Sequence, residues 1–127
     1  MISRILERLY VGDSGFTPED LQRLGVNNVL NVGGVELKPT CQYAQIHLVD
    51  NGHNPPHAFK TALATLDDAA QRGMTTLVCC RRGVSRSVFL VMLWLERMGM
   101  SRDEAYAYVK ERHPVAQVNV ELMESYP

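Results

Sequence analysis

Apolar residues along the chain follow two spacings, and the two kinds of segment succeed one another. Short apolar runs bounded by turn-forming residues predict strands at "RLYVGD", "NNVLNVGG", "AQIHLVDNG" and "TTLVC". Longer segments with apolar residues three and four apart predict helices at "TPEDLQRLG", residues 56–71, residues 86–98 and "SRDEAYAYVKERH", and a short one near Asn119. Strands that alternate with helices in this way indicate one α/β layer structure.

Two of the predicted helices carry capping signals at their first turns. Thr17 stands where an N-cap residue is expected, with Pro18 at the first helical position and Asp20 at the capping-box position. Ser101 and Glu104 form the same pair before the helix that follows them. We therefore expect both helices to begin at these residues.

The composition narrows the class of protein. Hydrophobic residues make up 46% and charged residues 21% of the chain, which is typical of a folded globular protein. The formal net charge is −1, so affinity for phosphate has to come from a local site. The longest apolar stretch, "SVFLVMLWL", is too short to span a bilayer, and charges near the start interrupt any signal-like run. Three cysteines without framework spacing favour a reducing compartment, and we expect a cytoplasmic protein.

The segment "CRRGVSRS", residues 80–87, joins a predicted strand to a predicted helix. Backbone N–H groups in such a turn can form an anion site, to which the helix N-terminus adds about half a positive charge. Gly83 permits the tight curl, and the guanidinium of Arg86 can hold two phosphate oxygens. The residues expected to bind phosphate are Arg81, Arg82, Gly83, Val84, Ser85 and Arg86. The side chains of Arg81 and Arg82 either favour acidic or multiply phosphorylated substrates or are simply solvated.

Cys80 lies at the base of this turn. A thiol beside arginines and a helix N-terminus forms the nucleophilic thiolate readily. Attack on a bound phosphoryl group would give phosphocysteine, while the N–H groups and Arg86 stabilise the equatorial oxygens. Ser87 is placed to donate a hydrogen bond to the sulfur and improve it as a leaving group. This chemistry calls for no metal or other cofactor; the alternative is an inert buried cysteine beside a surface arginine.

With these residues the chain resembles the cysteine-based protein phosphatases, most closely the small dual-specificity phosphatases. Their signature is His-Cys, five residues, Arg and then Ser or Thr, and the corresponding residues here are 79–87, with Cys79 at the position of the His. "LYVGD" and "LGVNNVLNVGG" resemble the family's opening strand, helix and strand, so the likeness covers nearly the whole chain. "RHPVAQVN" resembles a stretch whose asparagine lies beside the phosphate loop, which implies a supporting role for Asn119.

The resemblance also implies a general acid, an aspartate about thirty residues before the cysteine, and Asp50 in "LVDNGHN" matches it. Asp50 follows a predicted strand, so it could protonate the leaving oxygen and later activate water. The alternative for Asp50 is an ordinary turn-capping aspartate. The remaining candidates are His53 and His57 in the same loop, and Asp67 and Asp68, which we expect on the solvated face of a helix.

The chain departs from the family's signature at Cys79, where the usual residue is His. In the family that His helps to hold the thiolate state through a hydrogen-bond network, and a cysteine carries no positive charge. We therefore expect a slower enzyme, in which Cys79 is a supporting residue at most. Neighbouring cysteines rarely bridge without strain, so Cys79 is expected to be a buried strand residue. Cys41 is the other possible partner for an oxidised Cys80.

These observations and the resemblance together predict one α/β domain over residues 1–127, with a central, mostly parallel, twisted sheet flanked by helices. The implied activity is hydrolysis of phosphotyrosine, and of phosphoserine or phosphothreonine, in phosphorylated proteins or peptides. Two alternatives stay open: a phosphate-binding pseudophosphatase with negligible turnover, and a phosphatase of phosphoinositides, phosphosugars or RNA 5′-phosphates. The near-neutral charge disfavours the lipid and RNA substrates, and we expect no nucleic-acid partner.

Overall fold

A five-stranded sheet lies at the centre of the computed structural model, which describes all 127 residues. The strands are β1 (Ile2–Leu6), β2 (Leu9–Asp13), β3 (Asn28–Asn31), β4 (Gln42–Gln45) and β5 (Thr76–Cys80). Their order across the sheet is β1-β2-β5-β3-β4, and β1 pairs antiparallel with β2 whereas every other neighbouring pair is parallel. The predicted mostly parallel sheet is therefore confirmed, and β5 is its central strand.

Five helices flank the sheet: α1 (Pro18–Leu24), α2 (Pro56–Gln71), α3 (Arg86–Arg97), α4 (Arg102–Arg112) and α5 (Val120–Glu124). Both predicted capping boxes form, with Thr17 and Ser101 accepting from the backbone N–H groups of Asp20 and Glu104 at 3.1 Å each. The longest helix, α2, has 16 residues, and none of the five is long and apolar enough to cross a bilayer.

The helices pack on the two faces of the sheet unequally, and the side chains of β5 alternate between them. Val78 and Cys80 belong to the larger buried cluster, which contains residues of α2, α3, α4 and α5. Leu77 and Cys79 belong to a smaller cluster on the other face, against Leu21 of α1. Because successive side chains of a strand point to opposite faces, the two adjacent cysteines occupy different environments.

The two outer strands differ from the prediction. The first, β1, was not expected, because its sequence is interrupted by charge; it forms an edge strand, half exposed, through its pairing with β2. The other, β4, begins at Gln42 and ends at Gln45, whereas the strand predicted in "AQIHLVDNG" was expected to continue to the turn around Asp50, Asn51 and Gly52. Beyond Gln45 the N–H groups of Ile46 and Leu48 still donate to the carbonyls of Asn31, at the end of β3, and of Val32, at 2.9 and 3.0 Å. The side chain of Asn31 accepts from the Gly33 N–H at 2.9 Å, where the chain bends after β3.

Candidate active site

Cys80 is the last residue of β5, and the chain turns through residues 81–85 before α3 begins at Arg86. We call this turn the 81–85 loop. The Cys80 sulfur is buried and lies 3.2 Å from the Ser87 hydroxyl and 3.5 Å from the Ser87 backbone N–H, which donates to it. The sulfur therefore faces the positive end of α3, in the crevice at the carboxyl ends of parallel strands.

Ser85 connects the 81–85 loop to two other segments. It occupies the N-cap position of α3, yet its side chain makes no capping bond. Its hydroxyl instead donates to Asp50 Oδ1 at 2.5 Å and accepts from the Asn119 backbone N–H at 2.9 Å. The first turn of α3 is thus left without a side-chain cap, and Asp50 and Asn119 are both held beside the loop. The Asn119 side chain accepts from the Glu121 N–H and caps α5.

The turn that carries Asp50 is closed by a buried residue that the sequence analysis did not single out. Asn54 accepts from the Val49 N–H at 2.7 Å and donates to the Val49 carbonyl at 2.8 Å. Arg86 Nη1 donates to the Leu48 carbonyl at 3.2 Å, just before the same turn. The turn around Asp50 is therefore anchored both internally and to the start of α3.

A pocket of about 490 Å³ opens over Cys80. Its lining residues are Asp50, Cys80, Arg81, Arg82, Val84, Ser85, Arg86, Gln117, Val118, Asn119 and Val120. The Arg81 and Arg82 side chains are exposed at this pocket, and neither forms an ion pair. The pocket therefore combines a buried sulfur, a carboxyl group and three arginines.

The competing candidates for the acid lie elsewhere. His53 and His57 are exposed and do not line the pocket over Cys80. Asp67 and Asp68 lie on α2, where they pair with Arg97 at 3.0 Å and with Arg72 at 3.3 Å. Of the five candidate acidic or basic side chains, the pocket contains Asp50 alone. No three His, Cys, Asp or Glu side chains come close enough together to hold a metal ion.

Gly83 supports the loop from behind and does not line the pocket. It adopts φ +67°, and a Cβ placed on it would stand 2.4 Å from the Gly12 carbonyl carbon and 2.5 Å from the Asp13 nitrogen. Its carbonyl accepts from Nε2 of His113 at 2.7 Å, and Nδ1 of His113 lies 2.6 Å from the Ser3 hydroxyl. His113 is fully buried, and burial lowers the pKa of its imidazole. Nothing in the sequence pattern distinguished His113, because its role depends on contacts between distant segments.

Cys79 lies on the other face of β5, as the prediction of a buried strand residue required. It packs in the smaller cluster with Tyr10 and Leu21, it is fully buried, and its thiol makes no hydrogen bond. Burial raises the pKa of this thiol to about 12. Cys41 is half-buried against the same cluster, and all three cysteines are free thiols.

Comparison with known proteins finds a family model and several sequences that are similar to this chain. The family model described as "Dual specificity phosphatase, catalytic domain" matches residues 9–126. Human dual specificity protein phosphatase 9 is 30% identical over 129 residues, which cover 94% of this chain and 34% of the relative. Human dual specificity protein phosphatase 14 is 30% identical over 127 residues, covering 94% of this chain and 64% of that relative. The chain therefore spans about a third of the first relative's length.

Solved structures show the same architecture. One is the crystal structure of a mouse protein described as a dual specificity phosphatase complexed with zinc tungstate. The superposition covers 98% of this chain and 82% of the mouse chain, with 25% sequence identity and a TM-score of 0.88. Another is the human tyrosine phosphatase-like serine/threonine/tyrosine-interacting protein. Its superposition covers 98% of this chain and 91% of the human chain, with 26% sequence identity and a TM-score of 0.85. The match of residues 9–126 includes β5, the 81–85 loop and α3, and on that basis this chain belongs to the dual specificity phosphatase family.

Proposed function

We propose that this protein hydrolyses phosphotyrosine, and phosphoserine or phosphothreonine, in proteins through a phosphocysteine intermediate on Cys80. The observation that carries the proposal is the position of the Cys80 sulfur, which faces the first turn of α3 in the same pocket as Asp50 and Arg86. Membership of the dual specificity phosphatase family supports the same reaction.

In the first step the Cys80 thiolate forms an S–P bond while the P–O bond to the substrate breaks. Asp50 gives its proton to the departing oxygen, so that the product leaves as a neutral hydroxyl compound. Arg86 and the N–H groups of the 81–85 loop hold the three equatorial oxygens as their charge is redistributed. The roles of Arg81, Arg82, Val84 and Ser85 in phosphate binding are mainly those of their backbone N–H groups.

In the second step Asp50, now a carboxylate, takes a proton from water while the water oxygen attacks phosphorus. The S–P bond breaks, and inorganic phosphate is released with regeneration of the Cys80 thiolate. Ser87 stabilises that thiolate, since its hydroxyl and N–H both lie within hydrogen-bonding reach of the sulfur. Asn119 supports the site through its backbone bond to Ser85.

The rim of the pocket supports a phosphorylated protein as substrate. Arg81 and Arg82 are exposed and have no ion-pair partner, so they are available to acidic groups beside the phosphorylated residue. The chain as a whole has a net charge of −1, which gives no broad positive surface for RNA or for anionic lipid. The three free thiols support a reducing location, and we place the protein in the cytoplasm.

The test compares two substrates with leaving groups of different quality. Wild type, Cys80→Ser, Asp50→Asn and the surface control Asp67→Asn are assayed with 4-nitrophenyl phosphate and with a phosphotyrosine peptide. We expect Cys80→Ser to be inactive and Asp67→Asn to match wild type. Asp50→Asn should lower kcat on the peptide by roughly 10²- to 10⁴-fold, and on 4-nitrophenyl phosphate by less, because that product leaves readily without a proton.

A substrate panel completes the test. Phosphoserine and phosphothreonine peptides, a phosphoinositide, a phosphosugar and an RNA 5′-phosphate are compared with the phosphotyrosine peptide by kcat/KM. Wild-type turnover no greater than that of Cys80→Ser would make the protein a pseudophosphatase, and a preference for one of the non-protein substrates would replace the proposed substrate class.

A further inference from the structure

The chain between α4 and α5 contacts three consecutive residues of the 81–85 loop. His113 Nε2 bonds to the Gly83 carbonyl at 2.7 Å, and the Gln117 N–H donates to the Val84 carbonyl at 2.9 Å. One residue further along the loop, Ser85 accepts from the Asn119 N–H. The 113–119 segment thus runs beside the loop and bonds to it at every residue from 83 to 85, with His113 outside the pocket and Gln117 and Asn119 at its lining.

These bonds determine which way the loop's N–H groups point. In a trans peptide the carbonyl of one residue and the N–H of the next lie on opposite sides of the chain, and no peptide bond here is cis. A Gly83 carbonyl that is bound by His113 therefore directs the Val84 N–H away from the His113 ring, which does not line the pocket. Val84 and Ser85 both line the pocket over Cys80.

The hydrogen bond between Ser3 and the other nitrogen of the His113 ring determines which nitrogen carries the proton. A carbonyl can only accept, so Nε2 carries the proton and donates to Gly83. In the neutral ring Nδ1 then accepts from the Ser3 hydroxyl, at 2.6 Å, which holds this tautomer and the orientation of the ring. The ring is fully buried, so water does not compete for either nitrogen.

We infer that His113 is a positioning residue that holds the Gly83–Val84 peptide with its N–H turned towards the bound phosphate, and that Ser3 keeps His113 in the donating tautomer. The inference rests on the proposed function only in taking the 81–85 loop as the anion site. The usual His of the family signature is replaced here by Cys79, whose side chain faces the opposite side of the sheet and gives the loop no hydrogen bond.

Binding of inorganic tungstate, an anion that requires no turnover, tests the inference. The variants are His113→Phe, which removes the donor, and His113→Gln, which keeps an N–H donor. The matched control is Thr76→Val, which removes the buried bond from Asn28 at 3.0 Å at the opposite end of β5. Each variant is also unfolded in urea, so that loss of affinity can be compared with loss of stability.

We expect His113→Phe to weaken tungstate binding roughly ten-fold, the worth of about one good hydrogen bond. His113→Gln should recover most of that loss, and Thr76→Val should bind tungstate as wild type does although it unfolds more easily. Equal tungstate affinity in wild type and His113→Phe overturns the inference, and so does an equal loss of affinity in Thr76→Val.

Three further outcomes are decisive. If His113→Phe does not fold, Ser3→Ala decides: it leaves the ring in place and is expected to weaken tungstate binding by roughly two- to five-fold, and unchanged affinity overturns the inference. Wild type that binds tungstate without turning over any phosphomonoester would contradict the proposed function alone, whereas wild type that neither binds tungstate nor turns over a phosphomonoester would overturn both.

Discussion

Cys79 and Cys80 are adjacent in the chain, yet the sheet separates their side chains. Cys80 lies at the pocket with hydrogen-bond donors around its sulfur, whereas Cys79 is enclosed by apolar side chains such as Tyr10 and Leu21. Residue identity alone does not distinguish the two thiols. Their positions on the strand do, since neighbouring residues of β5 face opposite sides of the sheet.

This difference predicts selective alkylation. A thiol with a pKa of about 12 has only about one part in 10⁵ as thiolate at pH 7, and Cys79 is enclosed in the smaller cluster whereas Cys80 lines the open pocket. Brief treatment of the native protein with iodoacetamide at pH 7 should therefore modify Cys80 and leave Cys79 unmodified, as peptide mass spectrometry would show. Tungstate should protect Cys80, and the urea-unfolded chain should be modified at all three cysteines. Native Cys79 that reacts as fast as Cys80 would contradict the placement of its side chain.

Single residues of the site differ in how far the sequence could identify them. Cys80, Arg86 and Ser87 stand at fixed spacings around one turn, so a local pattern is enough to select them. Asp50 was selected over its neighbours by resemblance, and the structure adds the contact with Ser85. The contribution of His113 comes from contacts with residues 30 and 110 positions away, which no local pattern contains.

At the scale of elements, the 81–85 loop depends on how closely it approaches β2. Gly83 lies against the backbone of Gly12 and Asp13, and its φ of +67° is one that side-chain-bearing residues rarely adopt. Gly25, at the end of α1, has a similar φ of +71° but open space around it. The two glycines therefore separate the cost of backbone strain from the cost of a clash.

We predict that Gly83→Ala is far more damaging than Gly25→Ala. The left-handed conformation should cost each variant roughly 1–2 kcal/mol of unfolding free energy. Overpacking against β2 should add roughly 1–3 kcal/mol in Gly83→Ala and displace the loop from the pocket. Urea unfolding measures the loss of stability, and hydrolysis of 4-nitrophenyl phosphate measures the effect of displacing the loop from the pocket. Gly83→Ala that keeps wild-type activity would contradict the close packing of loop and strand.

The elements themselves were predictable to different degrees. Helices α1 and α4 carry their start signals in sequence, and the central strands β3 and β5 are buried at every residue because both of their faces are covered. The edge strands β1 and β4 have partly exposed, mixed sequences, and what defines them is pairing with a neighbour. Their existence or extent was accordingly mispredicted.

At the scale of the whole molecule, His113 joins three distant parts of the chain. It links Ser3 on β1 to Gly83 in the loop, and it follows directly after α4. The charged groups around its ring act in both directions: Asp13 favours the protonated ring, whereas the amine of Met1 and Lys110 oppose it. Burial has the largest effect and keeps the pKa of the ring below its ordinary value.

Stability should therefore fall on the acid side of neutrality. In the unfolded chain His113 takes up a proton near pH 6.5, whereas the folded protein resists protonation until a lower pH. Between these two values the unfolded state holds more protons, so the free energy of unfolding decreases as the pH falls. Urea midpoints of wild type and His113→Gln at pH 7.5 and 5.5 measure the effect, and wild type should lose more. An equal loss in both proteins would assign the pH dependence to other groups.

The separation of the cysteines by the sheet also bears on peroxide damage. Cys79 and Cys41 both pack on the face opposite Cys80, so a sulfenic acid formed on Cys80 has no thiol of its own chain beside it. Condensation with a neighbouring cysteine, which protects many oxidant-sensitive thiols from irreversible sulfinic acid, is not open to it. Recovery of Cys80 after an oxidative burst then depends on glutathione or another small thiol that can enter the pocket.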